Sequence, residues 1–63
     1  MRTIENKIAV VTGGGSGLGR AIALRLAGAG AHLHLVDVDL AAAEATAMEI
    51  RSRGAQARVT RCG

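Results

Sequence analysis

The 63 residues allow one small domain at most, and with a single cysteine, Cys62, no internal disulfide can form. Beside 13 alanines there are only 17 bulky aliphatic or Met residues, a core small enough to call for a partner. The net charge of +3 comes with no Phe, Trp or Tyr, so the stacking platforms of a single-strand nucleic-acid binder are missing, and no apolar run approaches the roughly 18 residues of a membrane span.

The chain opens with an arm, residues 1–6, in which Ile4 is the expected anchor. The arm has no apolar h-region, so no signal peptide is expected and the setting reads as reduced and cytoplasmic. Residues 7–12 include Ile8-Ala9-Val10-Val11, a β-branched run that reads as a buried strand. Residues 18–29 form the first predicted helix, with Leu18, Ile22, Leu26 and Ala29 as its apolar stripe and Gly30 placed to end it. A second strand covers residues 33–37 and finishes on Asp37. Asp39 suits an N-cap for an alanine-rich helix over residues 40–53, whose stripe is Leu40, Ala43, Ala47 and Ile50 and whose stop is Gly54. Residues 56–61 alternate, with Ala57 and Val59 on one face, and read as a third strand. Cys62 follows it as an ordinary strand-end residue.

The order is β-α-β-α-β. Right-handed crossovers make the strands parallel in the order 3-2-1. The fold class expected is α/β, a Rossmann-like half of an incomplete doubly wound sheet, with residues 1–63 as the N-terminal part of a dinucleotide-binding domain. The strand that would flank the first one is lacking, so the rest of a parent chain or a sheet-completing partner is expected there.

Between the first strand and the first helix lie five glycines: Gly13, Gly14, Gly15, Gly17 and Gly19. A strand turning sharply into a helix, with free N–H groups and a positive dipole end at the turn, makes a phosphate site. The spacing narrows the choice. A P-loop would need Lys-Ser/Thr after the last glycine, where Arg20-Ala21 stands. Gly-x-Gly-x-x-Gly fails too, since Gly13-x-Gly15 leads to Leu18 and Gly15-x-Gly17 leads to Arg20. What fits is Thr12-Gly13-x-x-x-Gly17-x-Gly19. Asp37 follows Gly19 by 18 residues, where a Rossmann unit places an acid for the adenosine ribose. A plain strand-end aspartate is the other reading of that residue.

The run Val10-Val11-Thr12-Gly13-Gly14-Gly15-Ser16-Gly17-Leu18-Gly19-Arg20-Ala21 resembles the short-chain dehydrogenase/reductase family over the whole of this chain. The resemblance implies that the stretch from Gly13 to Gly19 wraps a cofactor's pyrophosphate and adenosine side. It implies contacts from Ser16 and the Leu18 backbone, and a bracing role for Thr12. An acid matching Asp37 implies NAD rather than NADP; the positions where NADP users carry a base hold Ser16 and Val38. The family also uses an Asp after the third strand, where Arg61-Cys62-Gly63 stands, and its chemistry needs a Ser, a Tyr-x-x-x-Lys and an Asn. This chain has no Tyr, and its one lysine is Lys7. No catalytic residue is therefore assigned. The expected function is the NAD(H)-binding portion of an oxidoreductase, moving hydride between nicotinamide and an alcohol or carbonyl. The alternatives are a stand-alone, non-catalytic nucleotide-binding module and an interaction module that completes another chain's sheet.

His32 and His34 share a face of the second strand, but no third ligand accompanies them, so no metal site is expected. They read as polar residues at the strand start, on a helix-covered or edge face.

Overall fold

A computed structural model describes residues 5–62. Ile4, the expected anchor, and Gly63 lie outside the described residues. The element order is β1 (Ile8–Thr12), α1 (Gly17–Gly28), β2 (His32–Asp37), α2 (Leu40–Ser52) and β3 (Ala57–Arg61). All three strands are parallel in one sheet ordered β1-β2-β3. The registers pair Val11 with Leu35 and Leu35 with Val59, so β2 is hydrogen-bonded on both sides and β1 and β3 are the edges. Both helices pack on the same sheet face and touch each other.

The core lies between that face and the helices. Val11, Leu33 and Leu35 point into it from the sheet, and Ala23, Ala27, Ala43, Ala47 and Ile50 from the helices. Alanine dominates the helix side because a methyl side chain lets a helix backbone come close to a sheet. The expected stripe of α1 is corrected here. Ala23 and Ala27 are buried, whereas Leu18 is 76% exposed and Ile22 41% exposed. The tight glycine turn brings α1 so near β1 and β2 that only its small residues fit beneath it; Leu26 is packed at the margin and Leu18 and Ile22 are turned outwards. In α2, Ala43, Ala47 and Ile50 are buried as expected, but Leu40 is exposed and Thr46 is wholly buried in its stead.

The helix ends follow the sequence. The Asp39 carboxylate accepts from Ala42 N at 3.1 Å and caps α2. Gly30 N–H donates to the Ala27 carbonyl and Ala31 N–H to that of Leu26, the paired bonds of a Schellman turn. Gly54 N–H and Ala55 N–H repeat the pair on Arg51 and Ile50. The lone thiol of Cys62 is exposed, and its backbone N–H extends the β3 pairing by donating to the Asp37 carbonyl at 2.9 Å.

The histidines need a second correction. The strand alternation that turns Leu33 and Leu35 into the core sends His32 and His34 to the opposite face of the central strand. No helix among the described residues covers that face. Ile8 and Val10 are exposed there, and the His34 ring nitrogen Nε2 lies 2.7 Å from the Thr60 hydroxyl. A shallow 260 Å³ depression lies there, lined in part by Ile8, His32, His34 and Arg58.

Candidate functional site at the glycine turn

β1 ends on Thr12, opposite Val36, and the chain must reverse within four residues to start α1. Gly13 N–H donates to the Val36 carbonyl at 2.7 Å, the last link to β2 before the chain departs. Gly13 then adopts a φ of 67° and Gly17 one of 57°, values that any side chain would strain. Ser16 is the N-cap of α1 in extended conformation, and its side chain makes no capping bond. The first backbone bond of the helix runs from Arg20 N–H to the Ser16 carbonyl at 3.3 Å. The N–H groups of Gly17, Leu18 and Gly19 precede it and have no acceptor within the helix. No acidic residue sits in that first turn, so no side chain of the helix itself offsets its partial positive charge.

The other glycines are required by space. A Cβ on Gly19 would overlap the Gly13 carbonyl oxygen and lie 2.6 Å from its carbon. One on Gly14 would be 2.9 Å from the Leu35 side chain. One on Gly15 would be 2.7 Å from the Ala42 Cβ and 2.8 Å from both the Ala43 nitrogen and an Asp37 carboxylate oxygen. The turn therefore rests on Leu35 below and on the first turn of α2 beside it.

Asp37 joins these pieces. It stands at the C-terminal end of β2, with Oδ2 accepting from Gly15 N–H at 2.9 Å and Oδ1 accepting from Asp39 N–H at 3.0 Å. The Asp39 N–H, then the Gly15 N–H and more weakly the Val38 N–H hold its carboxyl below the ordinary aspartate range, against a smaller opposing effect of desolvation. Each carboxylate oxygen keeps acceptor capacity beyond the bond it makes. Because the shift is downward, the stabilising contribution of Asp37 is complete above about pH 4 and is lost as acid titrates the folded protein. Urea midpoints of the wild type and Asp37→Asn are expected to differ at pH 7 and to converge as the pH falls below that range. A gap that stays constant would show that the carboxylate makes no such contribution.

The structure thus brings Gly13, Gly15, Ser16, Gly17, Leu18, Gly19 and Asp37 into one corner at the C-terminal ends of β1 and β2, with Leu18 76% exposed beside it. Gly14, one of the five turn glycines, shapes this corner too, and so does a residue not singled out from sequence, Thr46, whose buried hydroxyl donates to the Gly15 carbonyl at 3.3 Å. A lone threonine among the buried alanines of α2 was the available signal.

The sequence pattern of the family described as short chain dehydrogenase matches residues 7–63. No match to a curated protein was found. Among solved structures, the chain is 41% identical to a short chain dehydrogenase/reductase from Burkholderia phymatum in complex with NAD, with a TM-score of 0.92 over 100% of this chain and 22% of that one. A hydroxysteroid dehydrogenase from Escherichia coli is 38% identical with a TM-score of 0.91 over 95% of this chain and 26% of that one. A metagenomic short-chain oxidoreductase in complex with NADP is 35% identical with a TM-score of 0.91, over 95% of this chain and 27% of that one. The chain spans about a quarter of the length of these structures. On its motif, its fold and the extent of the match, the chain belongs to the short chain dehydrogenase family.

Proposed function

We propose that the chain is the NAD-binding portion of an oxidoreductase that moves a hydride between the nicotinamide ring and an alcohol or carbonyl substrate. The observation that carries this reading is the corner itself. Free N–H groups at an uncapped, acid-free helix N-terminus lie next to a carboxylate that spans the glycine turn and α2. The residues present fit the cofactor: Gly15 and Gly19 leave no room for side chains of their own, and the turn they build exposes backbone donors. Gly13, Gly15, Ser16, Gly17, Leu18 and Gly19 would hold the pyrophosphate. Asp37 would accept from the adenosine ribose hydroxyls, which NAD offers as a pair and NADP does not.

Bound NAD supplies the hydride acceptor. The chain's own residues bind and orient it. A proton partner for the substrate needs a positioned acid or base, and the 63 residues hold no tyrosine and only one lysine, Lys7, which precedes β1. That group and the substrate site would come from the rest of a parent chain. The edge of β1 that has no partner strand among the described residues is where a further strand would pair, completing a doubly wound sheet.

The test is a fluorescence titration of the full-length gene product with NADH, beside Gly17→Asp. At Gly17 an aspartate is strained by the positive φ and sets a negative charge against the phosphates. Binding is expected to weaken by about a hundredfold or more. Equal affinity in the two proteins would place the dinucleotide elsewhere.

A further inference from the structure

Thr46 is the only wholly buried polar side chain among the described residues. A hydroxyl in an alanine-lined core costs free energy unless it is bonded, and packing alone is served as well by valine, which has the same shape. The bond it makes crosses 31 residues of sequence to the Gly15 carbonyl. Asp37 holds the same residue by its N–H, at 2.9 Å. Gly15 is thus gripped at both of its peptide groups, one by the end of β2 and one by the middle of α2.

The planar trans peptide gives this grip a consequence. The carbonyl of Gly15 and the N–H of Ser16 belong to one peptide unit and point in opposite directions. A carbonyl held inward on Thr46 turns the Ser16 N–H away from α2, to the exposed side of the turn. We propose that Thr46 is a positioning residue for the pyrophosphate site: through Gly15 it aims the backbone donors that open α1, without touching the cofactor itself. This rests on the dinucleotide reading given above.

The experiment uses the full-length gene product and three probes, NAD, ADP and adenosine, measured by calorimetry in the wild type, Thr46→Val and Thr46→Ser. Thr46→Val removes the hydroxyl and keeps the shape. It is expected to weaken NAD and ADP by about tenfold while adenosine, which lacks phosphate, changes by less than about twofold. Thr46→Ser restores the donor and is expected to return most of the lost affinity. In turnover, the KM for NAD is expected to rise in Thr46→Val with kcat little changed. Wild-type affinity for ADP in Thr46→Val overturns the proposal. So does an equal loss for ADP and adenosine, or loss of folded protein in both variants, either of which assigns Thr46 to packing. A wild type that binds no NAD overturns the cofactor reading instead, and the positioning role falls with it.

Discussion

Gly19→Ala is expected to abolish measurable dinucleotide binding, a loss of about a hundredfold or more. The added methyl group would occupy the position of the Gly13 carbonyl oxygen. That oxygen belongs to backbone, so no rotamer change can relieve the overlap; the turn and the start of α1 must separate. Separation moves the N–H groups of Gly17 to Gly19 away from where the turn now aims them. It also loosens the tight seat of α1 on the sheet, with a stability cost of about 1–3 kcal/mol. Gly28→Ala is the matched control. It lies in the last turn of the same helix with nothing within 4 Å of the added carbon and no positive φ. That substitution is expected to leave binding unchanged and to stabilise the protein by up to about 1 kcal/mol through helix propensity. Thermal unfolding and an NADH titration of both variants distinguish the two effects. A Gly19→Ala protein that binds like Gly28→Ala would mean that the turn is not the phosphate site.

The second large effect concerns Asp37, which has two tasks. In the proposed role its carboxylate receives ribose hydroxyls, and its Oδ2 already accepts from Gly15 N–H. Asp37→Ala removes both at once. The preference for NADH over NADPH, expected to be about a hundredfold in the wild type, should shrink to less than about tenfold. The shrinkage should come from weaker NADH binding. NADPH should gain little, because relief of charge repulsion is offset by the loosened Gly15 peptide. A double variant separates the two tasks. Asp37→Asn with Val38→Arg keeps an oxygen that can accept from Gly15 N–H and adds a guanidinium for the 2′-phosphate. It is expected to bind NADPH more tightly than Asp37→Ala with Val38→Arg. Equal NADPH affinities in the two doubles would show that the Asp37–Gly15 bond has no part in shaping the site.

Much of this arrangement is legible in the residues themselves. The order of elements follows from hydrophobic period, and the helix limits follow from Asp39, Gly30 and Gly54, because capping is a local matter of a few adjacent residues. The glycine turn is legible for the same reason. The face that α1 buries is not. Leu18-Ile22-Leu26 and Ala23-Ala27 are both apolar series at helical spacing, and only the closeness of α1 to the sheet decides for the smaller one. The bonds from Asp37 and Thr46 to Gly15 span 22 and 31 residues and have no local signature. The spacing did place an acid at the end of β2, but not its grip on the turn. The histidines illustrate a related limit: alternation shows that His32 and His34 share a face, and the topology decides which one.

Whether this corner selects NAD is decided by a paired titration of the full-length gene product with NADH and NADPH. Saturable binding of NADH is expected, with NADPH weaker by about a hundredfold. Equal affinities, or tighter NADPH, would contradict it. In that event the 2′-phosphate must find a base, and Arg61, paired with Asp37 in the β2–β3 register, would be the residue to examine.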